Sequence, residues 1–370
     1  MSVDIDQSSL YEGLKLVSGV IESSQVMQIL SFVHMHIESN KIILSASNAE
    51  VEIQTTVNLI KPVQEALAIT VPCRKLMDIL RYANKSSPVV FEIEGAKLHV
   101  SIDRSRFTVN MLAADQFPFF VSKGDAGKIE ISESELSILL KRTAFAMAFQ
   151  DVRYFLNGLL MEFNGAELKA VATDGHRLSV NAIDLPASQL EHFRVIIPRK
   201  TILEVTRLIG STDQMLGLSV NTDFIEIEHP KFRLRSNLID AQYPDYQKLV
   251  PKVSDDQALL DTASFRLALN RVNILANEKF RGVRLNFTDD NELIFESNNL
   301  DKEVATETIK VLEAPAATSI AFNIAYLSDV LSVIESEKVL MKLSGMETGT
   351  VIQEDGAMIN SLFVVMPLTL

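Results

Sequence analysis

The stretch Val71-Pro72-Cys73-Arg74-Lys75-Leu76-Met77 is answered by Ile197-Pro198-Arg199-Lys200-Thr201-Ile202-Leu203, at an offset of 197 − 71 = 126 residues. Pro72 then faces Pro198, Arg74 faces Lys200, Leu76 faces Ile202 and Arg81 faces Arg207. A weaker third copy, Phe322-Asn323-Ile324-Ala325-Tyr326-Leu327, follows another 125 residues on. In the first copy Cys73, Leu76, Met77 and Leu80 fall at i, i+3, i+4 and i+7, the apolar stripe of a helix. Pro72 and Pro198 stand near helix starts, where a missing N–H costs nothing.

A second helix family precedes each of these. Leu10, Leu14 and Lys15 match Leu136, Leu140 and Lys141 at the same offset of 126, and Phe265, Leu269 and Asn270 form a looser third copy. Ser132-Glu133-Ser134-Glu135 opens the middle one with a capping box. Segments rich in alternating and β-branched residues repeat as well, at Lys41–Val57, Glu167–Ile183 and Glu292–Ile309. Helix, strands, helix, strands in one order at one spacing imply an α+β chain of three like domains, 1–125, 126–252 and 253–370. About 125 residues is an ordinary size for a domain with one core.

Composition narrows the class. The net charge of −13 argues against tight binding in a nucleic-acid groove, which calls for a strongly basic surface. A single cysteine, Cys73, allows no internal disulfide and fits a reducing cytoplasm. The acidic start Met1-Ser2-Val3-Asp4-Ile5-Asp6 does not read as a signal peptide, and no apolar run is long enough to span a bilayer. No membrane partner is expected.

Few residues suggest catalysis. In Ala172-Thr173-Asp174-Gly175-His176-Arg177-Leu178 an enzyme would pair Asp174 with His176 as orienter and general base. Asp174-Gly175 is also a tight turn between two strands, and the pattern favours the turn. Neither phosphate-binding glycine motif nor zinc-ligand spacing occurs, so no metal and no cofactor is expected. Basic residues recur on both helix families: Arg74, Lys75 and Arg81; Arg199, Lys200 and Arg207; Lys141 and Arg142; Arg266 and Arg271. They are either a solvated face or a common cationic wall. The tail Phe363-Val364-Val365-Met366-Pro367-Leu368-Thr369-Leu370 is nearly all apolar, unlike an ordinary chain end.

Several segments together resemble the bacterial DNA polymerase III beta subunit family, the sliding clamps. They are Asp151-Val152-Arg153-Tyr154-Phe155-Leu156-Asn157-Gly158, Ala172 to Leu178, Pro198-Arg199-Lys200, Tyr243-Pro244-Asp245-Tyr246, Asn277 to Leu285, and Val364-Val365-Met366-Pro367. The resemblance runs over the whole chain and is weakest in the first domain. It implies the DNA clamp fold, with two helices per domain packed on antiparallel sheets and a ring closed as a head-to-tail homodimer. Twelve helices about 10 Å apart give a circumference near 120 Å, wide enough for a duplex. A ring holds DNA by topology, which reconciles an acidic chain with a nucleic-acid partner.

The resemblance further implies a non-catalytic subunit of a DNA-directed DNA polymerase holoenzyme. Its partners would be double-stranded DNA, bound without sequence preference, the replicative polymerase catalytic subunit, the clamp loader and other proteins with a clamp-binding motif. By the same resemblance Arg74, Gln150, Tyr154, Phe155, Arg199 and Lys200 would touch DNA. A peptide pocket between the second and third domains would be walled by Leu156, Thr173, Gly175, His176, Arg177, Leu178, Pro244, Lys248, Leu249, Tyr326, Val364, Met366, Pro367 and Leu368. The dimer contact would bring Phe107 and Val109 to Ile274 and Leu275. Three departures stand out: Ile21-Glu22-Ser23-Ser24 lacks the Arg common after the first helix, Phe155 stands where a Tyr is common, and Leu368-Thr369 stands where the family often has Met-Arg.

Overall fold

The computed structural model describes residues 2–21, 27–120, 127–186, 192–251, 256–344, 348–355 and 360–368. The departures at residues 22–24 and at Thr369 lie outside them. The first repeat runs β1 (Ser2–Asp6), α1 (Gln7–Val17), β2 (Phe32–Glu38), β3 (Lys41–Ser47), β4 (Val51–Asn58), β5 (Leu67–Pro72), α2 (Cys73–Arg81), β6 (Pro88–Glu94), β7 (Lys97–Ile102) and β8 (Ser105–Asn110). The second runs β9 (Gly127–Ser132), α3 (Glu133–Ala144), β10 (Gly158–Phe163), β11 (Glu167–Thr173), β12 (Arg177–Asp184), β13 (Phe193–Pro198), α4 (Arg199–Leu208), β14 (Met215–Val220), β15 (Phe224–His229) and β16 (Phe232–Asn237). The third runs β17 (Gln257–Asp261), α5 (Thr262–Val272), β18 (Gly282–Phe287), β19 (Glu292–Asn298), β20 (Val304–Lys310), β21 (Thr318–Asn323), α6 (Ile324–Val333), β22 (Lys338–Lys342), β23 (Thr350–Glu354) and β24 (Asn360–Val365). One order of elements thus occurs three times, as the 126-residue spacing predicts.

Local chemistry explains the helix starts. The Asp6 carboxylate accepts the Ser9 N–H at 2.8 Å, and Asp261, at the matching place before α5, accepts the Ser264 N–H at 2.7 Å. Asn323 caps α6 through the Ala325 N–H. Pro72 occupies the position just before α2. On α2, Cys73, Leu76 and Leu80 are fully buried, whereas Met77 is only half-buried.

The chain forms two compact units, residues 1–134 with 203–238 and residues 135–202 with 239–370. The first holds a four-stranded sheet, β1-β6-β7-β8, and an eight-stranded sheet, β5-β2-β3-β4-β16-β15-β14-β9. Its α1 lays Leu10, Leu14 and Val17 on the larger sheet, and Gly13 is required there because a Cβ would stand 2.6 Å from Val57 Cγ2. The second unit holds an eight-stranded sheet, β13-β10-β11-β12-β24-β23-β22-β17, and a four-stranded sheet, β20-β19-β18-β21. Phe265, Phe295, Phe322 and Phe363, all fully buried, anchor its larger core.

Three repeats become two units because strands are shared. In each eight-stranded sheet, four strands of one repeat join four of the next. The joints are antiparallel ladders: β4 on β16, with Ile53 opposite Leu234, and β12 on β24, with Ser179 opposite Phe363.

Candidate functional sites

In the second unit the β11–β12 turn, the 3-10 turn Tyr246–Leu249 and the end of β24 enclose a cavity of about 250 Å³. Its lining includes Thr173, Gly175, Arg177, Leu178, Lys248, Leu249, Val364 and Met366, all expected from sequence. Pro251, Thr348 and Gly349 also line it and were not foreseen. The cavity brings together a basic rim and apolar walls, the chemistry that suits a short peptide.

The turn is built by its own side chains. Asp174 Oδ1 accepts the backbone N–H groups of His176 and Arg177 at 2.9 and 3.1 Å, and Oδ2 accepts from Arg177 Nε at 3.0 Å. The Thr173 hydroxyl donates to Arg177 O at 2.6 Å and accepts the Gly175 N–H at 3.1 Å. Gly175 has φ +90°, a conformation that favours glycine, and a Cβ there would lie 3.2 Å from the Arg153 guanidinium. Tyr243 OH accepts the Thr173 N–H, and burial pushes that phenol well above its ordinary range. Among the described residues, Asp174 therefore serves the turn and Arg177 rather than the His176 ring. That ring stacks on Tyr326 at 5.9 Å instead.

Arg177 is the central cation. It pairs with Asp174 and Asp329 and lies 4.7 Å over the Tyr326 ring and 5.3 Å over Phe145. Leu156 is buried in a cluster with Leu178 and Val364, behind the cavity wall. The tail is pinned by Met366 N–H to His176 O at 2.8 Å and Leu368 N–H to Ala321 O at 2.7 Å. Pro244 and Pro367 are half-buried and are not in the cavity lining.

Of the residues expected to meet DNA, Arg74, Gln150 and Tyr154 are exposed, and Phe155, Arg199 and Lys200 are half-buried. In the second unit, Phe149, Gln150, Val152 and Tyr154 project from the segment after α3, Phe149 and Val152 being additions to the expected set. Gln150 takes φ +56°, and the Phe155 ring sits 6.1 Å from that of Tyr154. Asp151 shapes this segment by accepting from Arg153, whose guanidinium holds the carboxyl down at about 2. Arg199 is half-buried, donates to Met147 O at 3.0 Å and lies 5.9 Å over Phe149; burial, then Arg177, lowers its pKa. Lys200 is half-buried beside it. In the first unit Arg74 is exposed, 3.4 Å from Ile21 O.

The idea of a uniform cationic wall needs correcting. Arg142 is buried against Glu354 and Ser361, while its neighbour Lys141 is exposed. Arg266 donates to the carbonyls of Leu331 and Ile334, and Arg271 pairs with Glu307 at 2.8 Å. α6 carries no basic residue at all. Of the residues expected at a dimer contact, Ile274 is 79% exposed and Phe107 39%, but Val109 is covered within its own sheet.

Comparison with known proteins decides the family. Models described as the DNA polymerase III beta subunit N-terminal, central and C-terminal domains match residues 1–121, 130–245 and 247–368. The chain belongs to the DNA polymerase III beta subunit family. Beta sliding clamps from Pseudomonas putida (strain KT2440) and Escherichia coli (strain K12) are 37% and 34% identical, each over the whole of both chains. Among solved structures, the DNA polymerase III subunit beta of Pseudomonas aeruginosa superposes with a TM-score of 0.95 at 37% identity, covering all of both chains. A sliding clamp of the same organism bound to griselimycin superposes at 0.94 with 38% identity, again over all of both chains. Membership of the clamp family agrees with the α+β repeat architecture and with the three-domain DNA clamp fold expected from sequence.

Proposed function

We propose that this beta subunit is a cytoplasmic sliding clamp without catalytic activity of its own. Two copies close head to tail around duplex DNA, and the cavity beside the β11–β12 turn docks peptides of the replicative polymerase and clamp loader. The observation that carries the ring is the rule of the joints. The last strand of the first sheet in repeat n pairs with the last strand of the second sheet in repeat n + 1: β4 with β16, then β12 with β24. One more step pairs β20 with β8 of a second copy, and both are edge strands in this chain. The register carries over too. Phe107 is the counterpart of Leu234 and Phe363, each fully buried in a joint, yet Phe107 is 39% exposed. An edge strand left open in this way, with an exposed aromatic on it, is a template for another strand.

DNA within the ring would be held by weak, sequence-independent contacts from Arg74, Arg199, Lys200 and the Gln150–Phe155 segment. A few apolar anchors against Leu178, Val364 and Met366 would dominate peptide binding. The test is retention on plasmid circles after loading by a clamp loader. Loaded protein is expected to remain on circles and to leave within seconds of linearisation. Prompt loss from intact circles would favour a peptide scaffold that does not encircle DNA.

A further inference from the structure

The helices at the two joints follow a size rule, and the rule specifies contacts at the seam between subunits. At the first joint the Arg207 guanidinium covers the end of α1, with Nη2 2.9 Å from Leu16 O and Nη1 3.4 Å from Lys15 O. Glu204 holds it, accepting from Nε at 2.9 Å. Gly19, just past α1, admits this pair: a Cβ there would stand 2.1 Å from Glu204 Oε2 and 2.5 Å from Arg207 Nη2. The combination is a glycine facing a long acid.

One repeat on, Gly19 becomes Phe145 (19 + 126) and Glu204 becomes Asp329 (204 + 125). The glycine has turned into an aromatic and the acid has lost a methylene. Both touch the same cation, since Arg177 pairs with Asp329 and lies 5.3 Å over the Phe145 ring. A large residue therefore goes with the shorter acid.

The seam would be the third case. Adding 255 to the α1 numbers gives the α5 numbers, because Asp6 caps α1 as Asp261 caps α5. Gly19 then corresponds to Ile274, and Lys15 and Leu16 to Asn270 and Arg271. Subtracting 126 from α4 gives α2, so Glu204 corresponds to Asp78 and Arg207 to Arg81. Ile274 is 79% exposed, and Asp78 pairs with Arg81 at 3.3 Å with both side chains more than half exposed. Again a large apolar residue matches aspartate.

We propose that Ile274 of one subunit packs against the Asp78–Arg81 pair on α2 of the next, where Arg81 donates to the carbonyls of Asn270 and Arg271. Both carbonyls belong to the last turn of α5, whose end favours a cation. The proposal rests on the head-to-tail ring and adds the residues that set its grip.

The experiment is a double-mutant cycle on the full chain, with dimer dissociation measured by sedimentation velocity. Ile274→Gly should weaken the dimer about tenfold or more by removing a buried side chain. Asp78→Glu should weaken it about tenfold by crowding Ile274. The double variant restores the Gly19–Glu204 combination and should bind at least tenfold more tightly than the product of the two single losses. Arg81→Ala should also weaken the dimer about tenfold, with partial recovery in Arg81→Lys. Additive single losses, or an Arg81→Ala dimer as tight as wild type, would overturn this proposal and leave the ring intact. A wild-type chain that stays monomeric at all concentrations would overturn both.

Discussion

At the scale of single residues, the pocket depends on backbone placed where few side chains can follow. Gly175 turns the chain at φ +90° so that Thr173, Arg177 and the Asp174 carboxylate close on each other. Gly175→Ala should cost about 1–2 kcal/mol from its backbone conformation, before any push against Arg153. The melting temperature should fall, and affinity for a polymerase clamp-binding peptide should drop about tenfold in a fluorescence-anisotropy titration. Unchanged affinity would mean that the turn does not shape the peptide site. Much of this was legible, since Asp174-Gly175 carries a turn signal of its own. Lys141 and Arg142 were not separable, because adjacent basic residues on a helix look alike until packing buries one. A hint existed: Arg142 lies three residues after the buried Leu139, on the covered side. Pro251, Thr348 and Gly349 carry no local signal, and only tertiary packing brings them to the cavity.

At the scale of elements, the β12–β24 joint is fastened by a buried ion pair. Burial alone raises the Glu354 carboxyl, but the Arg142 guanidinium and the N–H groups of Glu335 and Ser336 outweigh it and leave it below its usual range. A depressed carboxylate stabilises the fold above its unfolded value, and that contribution is lost as pH falls through the folded value. Arg142→Ala should lower unfolding stability at pH 7 by about 3 kcal/mol, since it leaves a buried carboxylate without its cation. The variant should also show a shallower loss of stability on acidification, so the gap to wild type narrows toward pH 3. Urea titrations across that range would show it, and parallel curves would refute the assignment. Elements whose copies kept their chemistry were readable from the repeat. α2 and α4 share a preceding proline and basic residues, whereas α6 has Asn323, Ala325 and Tyr326 at the places of Pro72, Arg74 and Lys75 and contributes Tyr326 and Asp329 to the Arg177 cluster instead.

At the scale of the whole molecule, the joint rule gives a register for the seam. Ile53 faces Leu234 and Ser179 faces Phe363, so Phe107 should face Ala305 of a second copy. Directly opposed residues of antiparallel strands lie within disulfide reach. Phe107→Cys combined with Ala305→Cys should give covalently closed dimers on non-reducing gels after mild oxidation, while either single variant should not. Cys73 would not interfere, because it is buried and its thiol is pushed up to about 12. Absence of the cross-linked band would reject this register. The three-domain pattern was visible in sequence, but the sharing of sheets was not, because periodicity identifies strands without naming their neighbours.

That sharing has a cost during synthesis. β4 ends at Asn58, and its partner β16 begins at Phe232, which is added 232 − 58 = 174 residues later. At a translation rate of about 5–20 residues per second, the nascent chain carries a half-built sheet with a bare margin for about 10–35 s. Glu52, on that margin, is an acid that disfavours pairing with a stray hydrophobic strand until Arg235 emerges from the ribosome opposite it. Slowing elongation between codons 60 and 230 should therefore raise the demand for chaperones more than slowing it after codon 240.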